Sequence, residues 1–272
     1  MQGHFVSLGD LRVHYLEAGE GEPVLFLHGW PTHASLWRHV LPAVAPHRRA
    51  LALDLPGFGK SNKPVDASYS FRFYDDVLTR FLAALEIDRV GLVVHDLGGP
   101  VGLHWAANNR ERLTELGILN TLAYPELSWM VVAFVAGARL PVLRSILSSP
   151  WGLRASMRFG VVDKAKIDVE VARMYQEPFP DAASRKALLK TAYGLHPKGM
   201  HTIAAALPKF EVPTRLLYGE SDRILPHVGK TMARMKADMP HATLSSIPSC
   251  GHFLQEDRPQ EVAEALAAFF AR

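Results

Sequence analysis

Short apolar runs recur along the chain at Val24–Leu27, Ala50–Leu53, Val90–Val94, Leu116–Leu119, Arg215–Tyr218 and Thr243–Ile247. Each has the length of a strand, and such uninterrupted runs point to strands buried on both faces. Helical periodicity lies between them, over Ser70–Leu85, Pro100–Asn109 and Gln260–Phe270. In the last of these Val262, Leu266, Phe269 and Phe270 fall on one face. The opening reads as a hairpin, Phe5–Leu8 and Leu11–Leu16 about a Gly9-Asp10 turn. Alternation of this kind predicts an α/β protein with a mostly parallel central sheet and helices on both faces.

The alternation breaks between Ala123 and Pro208. There the pattern is helical, punctuated by Pro125, Pro141, Pro150, Pro178, Pro180 and Pro197. We expect a core made of residues 1–122 and 209–272, with 123–208 inserted as a helical cap over the carboxyl ends of the strands. Over residues 137–200 there are 11 Lys/Arg against 5 Asp/Glu, although the net charge of the chain is only +3. A basic lid of this kind would steer anions, but solvated helix faces account for it more simply.

At 272 residues and 48% hydrophobic, the chain is long enough to bury a sizeable core. Its basic residues are dispersed, and His47-Arg48-Arg49 reads as a solvated loop, so no nucleic-acid partner is expected. The N-terminal segment lacks a basic-then-apolar signal pattern. The longest apolar stretch, Trp129–Ala138, is too short to span a bilayer. A cytoplasmic protein without a membrane partner is the expectation. The single cysteine, Cys250, excludes an internal disulfide, and no His/Cys ligand cluster or phosphate-binding loop is present, so neither metal nor cofactor is expected.

Four polar stretches follow apolar strands, where open α/β sheets bind their ligands. They are His28-Gly29-Trp30-Pro31, the turn at Asp96, Tyr218-Gly-Glu-Ser-Asp222 and Ser249-Cys-Gly-His252. Asp96, Asp222 and His252 follow the chain order nucleophile, acid, histidine, with Asp standing where strand–turn–helix elbows usually carry Ser. A carboxylate is a poor nucleophile toward an ester carbonyl but an effective one toward a saturated carbon bearing a leaving group. Asp96 would become an alkyl ester, and His252, oriented by Asp222, would activate water against the ester carbonyl. The backbone N–H groups of Trp30 and Leu97 are the expected oxyanion donors. His95 reads as a packed, hydrogen-bonded side chain, and Glu256 and Asp257 as charges favouring a helix N-terminus. Cys250 lacks an elbow of its own.

With these residues in place the chain resembles the haloalkane dehalogenase and epoxide hydrolase branch of the α/β-hydrolase superfamily, over essentially its whole length. The likeness is carried by HGWPTHASLWR (28–38), DLPGFGKSNKP (54–64), VVHDLGGPVGLHWA (93–106), YGESDRILP (218–226) and GHFLQEDRP (251–259). The resemblance implies Asp96 as nucleophile, His252 as base, Asp222 as acid and a small, largely apolar organic substrate. Some dehalogenases place a Glu after the preceding strand; here the position reads Asn120-Thr121.

The leaving-group site departs from the family. Dehalogenases typically hold halide with a Trp directly after the nucleophile and an Asn in the HGNP motif, where this chain has Leu97 and Trp30. Trp30, or Trp129 and Trp151 from the cap, are then the candidate indole donors. Epoxide hydrolases protonate the departing alkoxide with cap tyrosines, for which Tyr175 and Tyr193 are candidates. Carbon–halogen hydrolysis is the favoured expectation and epoxide opening the alternative; a hydrolase for another substrate, or a non-catalytic protein on this fold, is a third.

Overall fold

The computed structural model describes residues 1–271. Eight strands make one sheet: β1 (Gln2–Leu8), β2 (Leu11–Ala18), β3 (Pro23–Leu27), β4 (Arg49–Leu53), β5 (Val90–Asp96), β6 (Leu113–Thr121), β7 (Thr214–Gly219) and β8 (Thr243–Ile247). Their spatial order is β1-β2-β4-β3-β5-β6-β7-β8. β1 and β2 pair antiparallel, as do β2 and β4, and every other neighbour is parallel. The predicted hairpin is therefore the antiparallel end of an otherwise parallel sheet.

The helices in chain order are α1 (Leu41–Val44), α2 (Phe71–Ala84), α3 (Gly98–Asn108), α4 (Trp129–Arg139), α5 (Pro141–Leu147), α6 (Pro150–Gly160), α7 (Val169–Gln176), α8 (Ala182–Gly194), α9 (Lys198–Ala206), α10 (Val228–Asp238), α11 (Leu254–Asp257) and α12 (Pro259–Phe270). Side-chain alternation along the strands divides the core in two. Leu25, Leu51, Leu92 and Leu116 meet α2, α3 and α10 on one face. Phe26, Ala52, Val93 and Leu119 meet α1 and α12 on the other. Each fully buried Leu or Phe contributes roughly 1.5–3 kcal/mol of transfer free energy, so burial on two faces fixes the register of the inner strands. Thr243–Ile247 differs from the expectation of a run buried on both faces. As β8 it lies at the sheet edge, with Leu244, Ser245 and Ser246 only half-buried, because a single strand pairs with it.

Local chemistry sets the helix ends. Ser70 Oγ accepts the backbone N–H of Phe73 and starts α2 one residue inside the predicted span. Pro141 and Pro150 sit in the first turns of α5 and α6, where a missing N–H costs nothing. Between β6 and β7 the described chain is helical, from α4 to α9. None of the described helices is long and apolar enough alone to cross a membrane.

Candidate active site

β5 runs buried through the sheet and ends at Asp96, which takes φ +49° before α3 begins at Gly98. A non-glycine residue in this region is strained, and strain of this kind is held by its surroundings. Thr121 Oγ1 donates to the Asp96 carbonyl at 2.6 Å. A Cβ at Gly99 would lie 1.8 Å from that same hydroxyl, and a Cβ at Gly29 would lie 2.3 Å from the Asp96 carboxylate. The turn can close only with glycine at both places.

The Asp96 carboxylate is divided between two sets of contacts. Oδ1 accepts the backbone N–H of Trp30 at 2.7 Å. Oδ2 lies 3.2 Å from His252 Nε2, in ion-pair contact but out of line for a hydrogen bond. Burial pushes the carboxyl group up, but neighbouring His252 and the Leu97 backbone N–H, which also reaches the carboxylate, outweigh it and hold Asp96 below the usual carboxylate range.

His252 follows β8 and is fully buried. Its backbone N–H donates to Gly160 O at 2.6 Å, and its carbonyl accepts from His95 Nε2 at 2.9 Å. His95 is itself held neutral, its pKa lowered to about 4 by burial and then by the charge on His252. Packed beside the His252 ring, it anchors that loop, as expected for a structural histidine. His252 Nδ1 meets Asp222 Oδ2 at 2.8 Å. Desolvation lowers the imidazole pKa, yet the carboxylates of Asp222 and Asp96 overcome it and raise it to about 10.

Asp222 is fully engaged. Oδ1 accepts the backbone N–H groups of Ile224 and Leu225 at 2.8 and 2.7 Å, and Oδ2 accepts Asn120 Nδ2 at 2.7 Å besides His252. Asn120 is oriented in turn, since its Oδ1 accepts the Gly219 N–H at 3.0 Å. Four donors hold Asp222 ionised and below the ordinary range despite burial. The sequence marked Asn120 only as the place of a missing Glu; its amide fixes the carboxylate that faces His252.

A cavity of about 240 Å³ opens above the carboxylate, walled mainly by Leu127, Met130, Val131, Phe134 and Val135 around α4. Leu97, Phe159 and Phe253 close other sides, and Ser156 supplies a hydroxyl. The sequence offered Trp129 from this stretch as a candidate donor, whereas its neighbours Met130, Val131, Phe134 and Val135 are the ones that line the cavity.

The expected leaving-group donors are not aimed at Asp96. Trp30 lines the cavity, but its indole N–H points to Leu188 O at 3.4 Å. Tyr175 is buried with its hydroxyl donating to Glu256 Oε1 at 2.5 Å and does not line the cavity. Tyr193 also lies outside the lining, its ring under the Arg139 guanidinium at 5.1 Å. Trp151 and Trp129 are 72% and 67% exposed. Helical spacing alone gave no indication of which way these rings turn. Glu256 and Asp257 do more than charge a helix end. Glu256 pairs with Arg38 at 2.5 and 2.7 Å, and Asp257 accepts the N–H groups of Gly251, Val162 and Asp163. Cys250 is buried, and burial pushes its thiol far up, away from a thiolate.

A parallel sheet whose strand-to-helix elbow presents a residue to a histidine carried after the last strand defines the α/β-hydrolase fold. The sequence profile of the alpha/beta hydrolase family matches residues 24–265, and the chain belongs to that family. It is 30% identical to the cis-3-alkyl-4-alkyloxetan-2-one decarboxylase of Shewanella oneidensis, over 98% of this chain and 87% of that one. It is also 30% identical to the haloalkane dehalogenase of Agrobacterium fabrum, over 96% and 89%. The solved epoxide hydrolase CorEH superposes with TM-score 0.83 at 25% identity, covering 99% of this chain and 98% of the other. The chain is thus a hydrolase of the haloalkane dehalogenase and epoxide hydrolase branch.

Proposed function

We propose that the chain hydrolyses a carbon–halogen bond through a covalent ester on Asp96, with His252 and Asp222 completing the triad and residues 123–208 acting as the cap. The observation that carries this reading is one carboxylate with two differently used oxygens. Trp30 N–H holds Oδ1, while Oδ2 faces His252 Nε2 at 3.2 Å. Oδ2 attacks the saturated carbon in line, the carbon–halogen bond breaks with its electron pair, and halide leaves.

Forming the ester removes the charge that faced His252. Its pKa then falls from about 10, and the ring becomes able to accept a proton at neutral pH. His252 takes a proton from water, whose oxygen adds to the Asp96 carboxyl carbon. Trp30 and Leu97 N–H groups receive the oxyanion on Oδ1; one such donor is worth roughly 10²–10³ in rate. Collapse breaks the acyl–oxygen bond, His252 returns its proton to the departing alkoxide, and Asp96 loses a proton to regenerate the carboxylate. The sum is RX and water going to ROH, halide and a proton.

The cavity supports a weakly basic leaving group. Among the described lining residues there is no tyrosine hydroxyl to protonate an alkoxide, which an epoxide requires. Bromide and iodide need such help least, so they are the expected best leaving groups. The same feature favours a second reading, attack on the saturated carbon of a strained oxetan-2-one, which releases a carboxylate; a relative at 30% identity is named for such a substrate. Intact mass spectrometry of His252→Gln after 1-bromohexane should show a hexyl adduct on Asp96, and the wild type should release bromide but no diol from styrene oxide. Adduct formation with a dialkyl oxetan-2-one alone would select the second reading. An unmodified mass with every probe would leave a different substrate or a non-catalytic role.

A further inference from the structure

A second cavity, about 560 Å³, lies on the outer side of α6 and is lined by Arg154, Arg158, Lys164 and Arg223 together with Trp151 and Phe159. None of the four cations forms a salt bridge to a carboxylate among the described residues. Arg158 donates to the carbonyls of Lys164 and Ile167, and Arg154 Nε is buried without a partner. Four positive charges with no carboxylate in ion-pair contact at one concave site repel each other, a cost that an anion relieves.

The two cavities are neighbours by construction. On α6, Trp151, Arg154, Ala155 and Arg158 form one helical stripe toward the basic cavity, while Ser156 faces the apolar one and Phe159 lines both. The loop after β7 repeats the division: Asp222 meets His252, Arg223 lines the basic cavity, and Ile224 and Leu225 line the apolar cavity.

We propose that the basic cavity binds the oxyanion head, carboxylate or phosphate, of a substrate whose apolar chain passes Phe159 to reach Asp96. Guanidinium groups match either head in bidentate geometry, and the exposed faces of Trp151 and Phe159 cover the first methylenes. The identity of the chain's reactive end rests on the Asp96 reading above; the head-group site does not.

Calorimetric titration of the full chain with decanoate, decyl phosphate and decanol, each below its micelle threshold, separates the possibilities. An anionic ligand should bind about tenfold more tightly than decanol, the effect of one charge-assisted hydrogen bond. The margin should shrink with added salt, fall toward one in Arg154→Gln and Arg223→Gln, and survive in Arg223→Lys. Tighter binding of decanoate assigns a fatty-acid-like substrate, and of decyl phosphate a phosphorylated one. Equal binding of decanol, or a margin that persists in both Gln variants, overturns the site. Halide release from 10-bromodecanoate and 1-bromodecane, run in parallel, tests the Asp96 reading separately. A binding margin with no turnover of either compound would reject that reading and keep this one.

Discussion

Replacing Asp96 with Asn removes one negative charge while keeping the side chain's shape, and so mimics the electrostatics of the ester. The interaction at stake is set by the 3.2 Å between Oδ2 and His252 Nε2. At an effective dielectric constant of about 20 it is worth ~5 kcal/mol, close to an upper bound. The Asp96 side chain is 19% exposed, which admits some screening. The titration of His252 should therefore fall by about two to three pH units from its wild-type value, at 1.36 kcal/mol for each. Histidine-labelled NMR reads this directly, with His252→Gln identifying the signal among the 13 histidines. The wild-type ring should titrate near pH 10 and the Asn variant close to neutrality. If the variant titrated within half a pH unit of wild type, Asp96 would not control His252, and ester formation could not be what turns the imidazole into a base.

Other consequences follow from the same contacts. Gly29→Ala places a methyl 2.3 Å from the Asp96 carboxylate, and the displaced nucleophile should lose about 10²-fold in kcat, measured by halide release. Asn120→Ala strips Asp222 of a donor and the Gly219 N–H of its acceptor, costing about 1–3 kcal/mol in denaturant unfolding and lowering the rate of ester hydrolysis more than that of ester formation. The folded pKa of His252, about 10, exceeds its unfolded value of 6.5. Its contribution to stability is therefore complete below pH 6.5 and lost as pH rises through 10, by a few kcal/mol. Urea unfolding at pH 6 and pH 10 checks the sign, and Asp96→Asn should flatten the dependence.

What the sequence disclosed and what it withheld divide along physical lines. Strands β3, β5 and β6 were legible because burial on both faces demands continuous apolar residues, and each shows as a run of four or five such residues. Asp96, Asp222 and His252 were legible as an ordered set because each ends or closely follows a strand, so one topology brings them to one edge of the sheet. The family match confirms that fold, while the chemistry assigned to the three residues stands as a proposal. Tyr175 and Trp151 were misjudged for the opposite reason. A helix outside the sheet layers has no fixed partner period: its polar rings turn toward whatever carboxylate or solvent its neighbours supply, and Tyr175 turned to Glu256. That choice has a functional consequence. With its hydroxyl committed to the Glu256–Arg38 pair, Tyr175 cannot protonate an alkoxide above Asp96 without breaking a buried charged network, a cost of several kcal/mol. On the proposed chemistry this contact, made outside the cavity lining, would favour weakly basic leaving groups, and Glu256→Gln, by loosening Tyr175, is the substitution most suited to admit an epoxide.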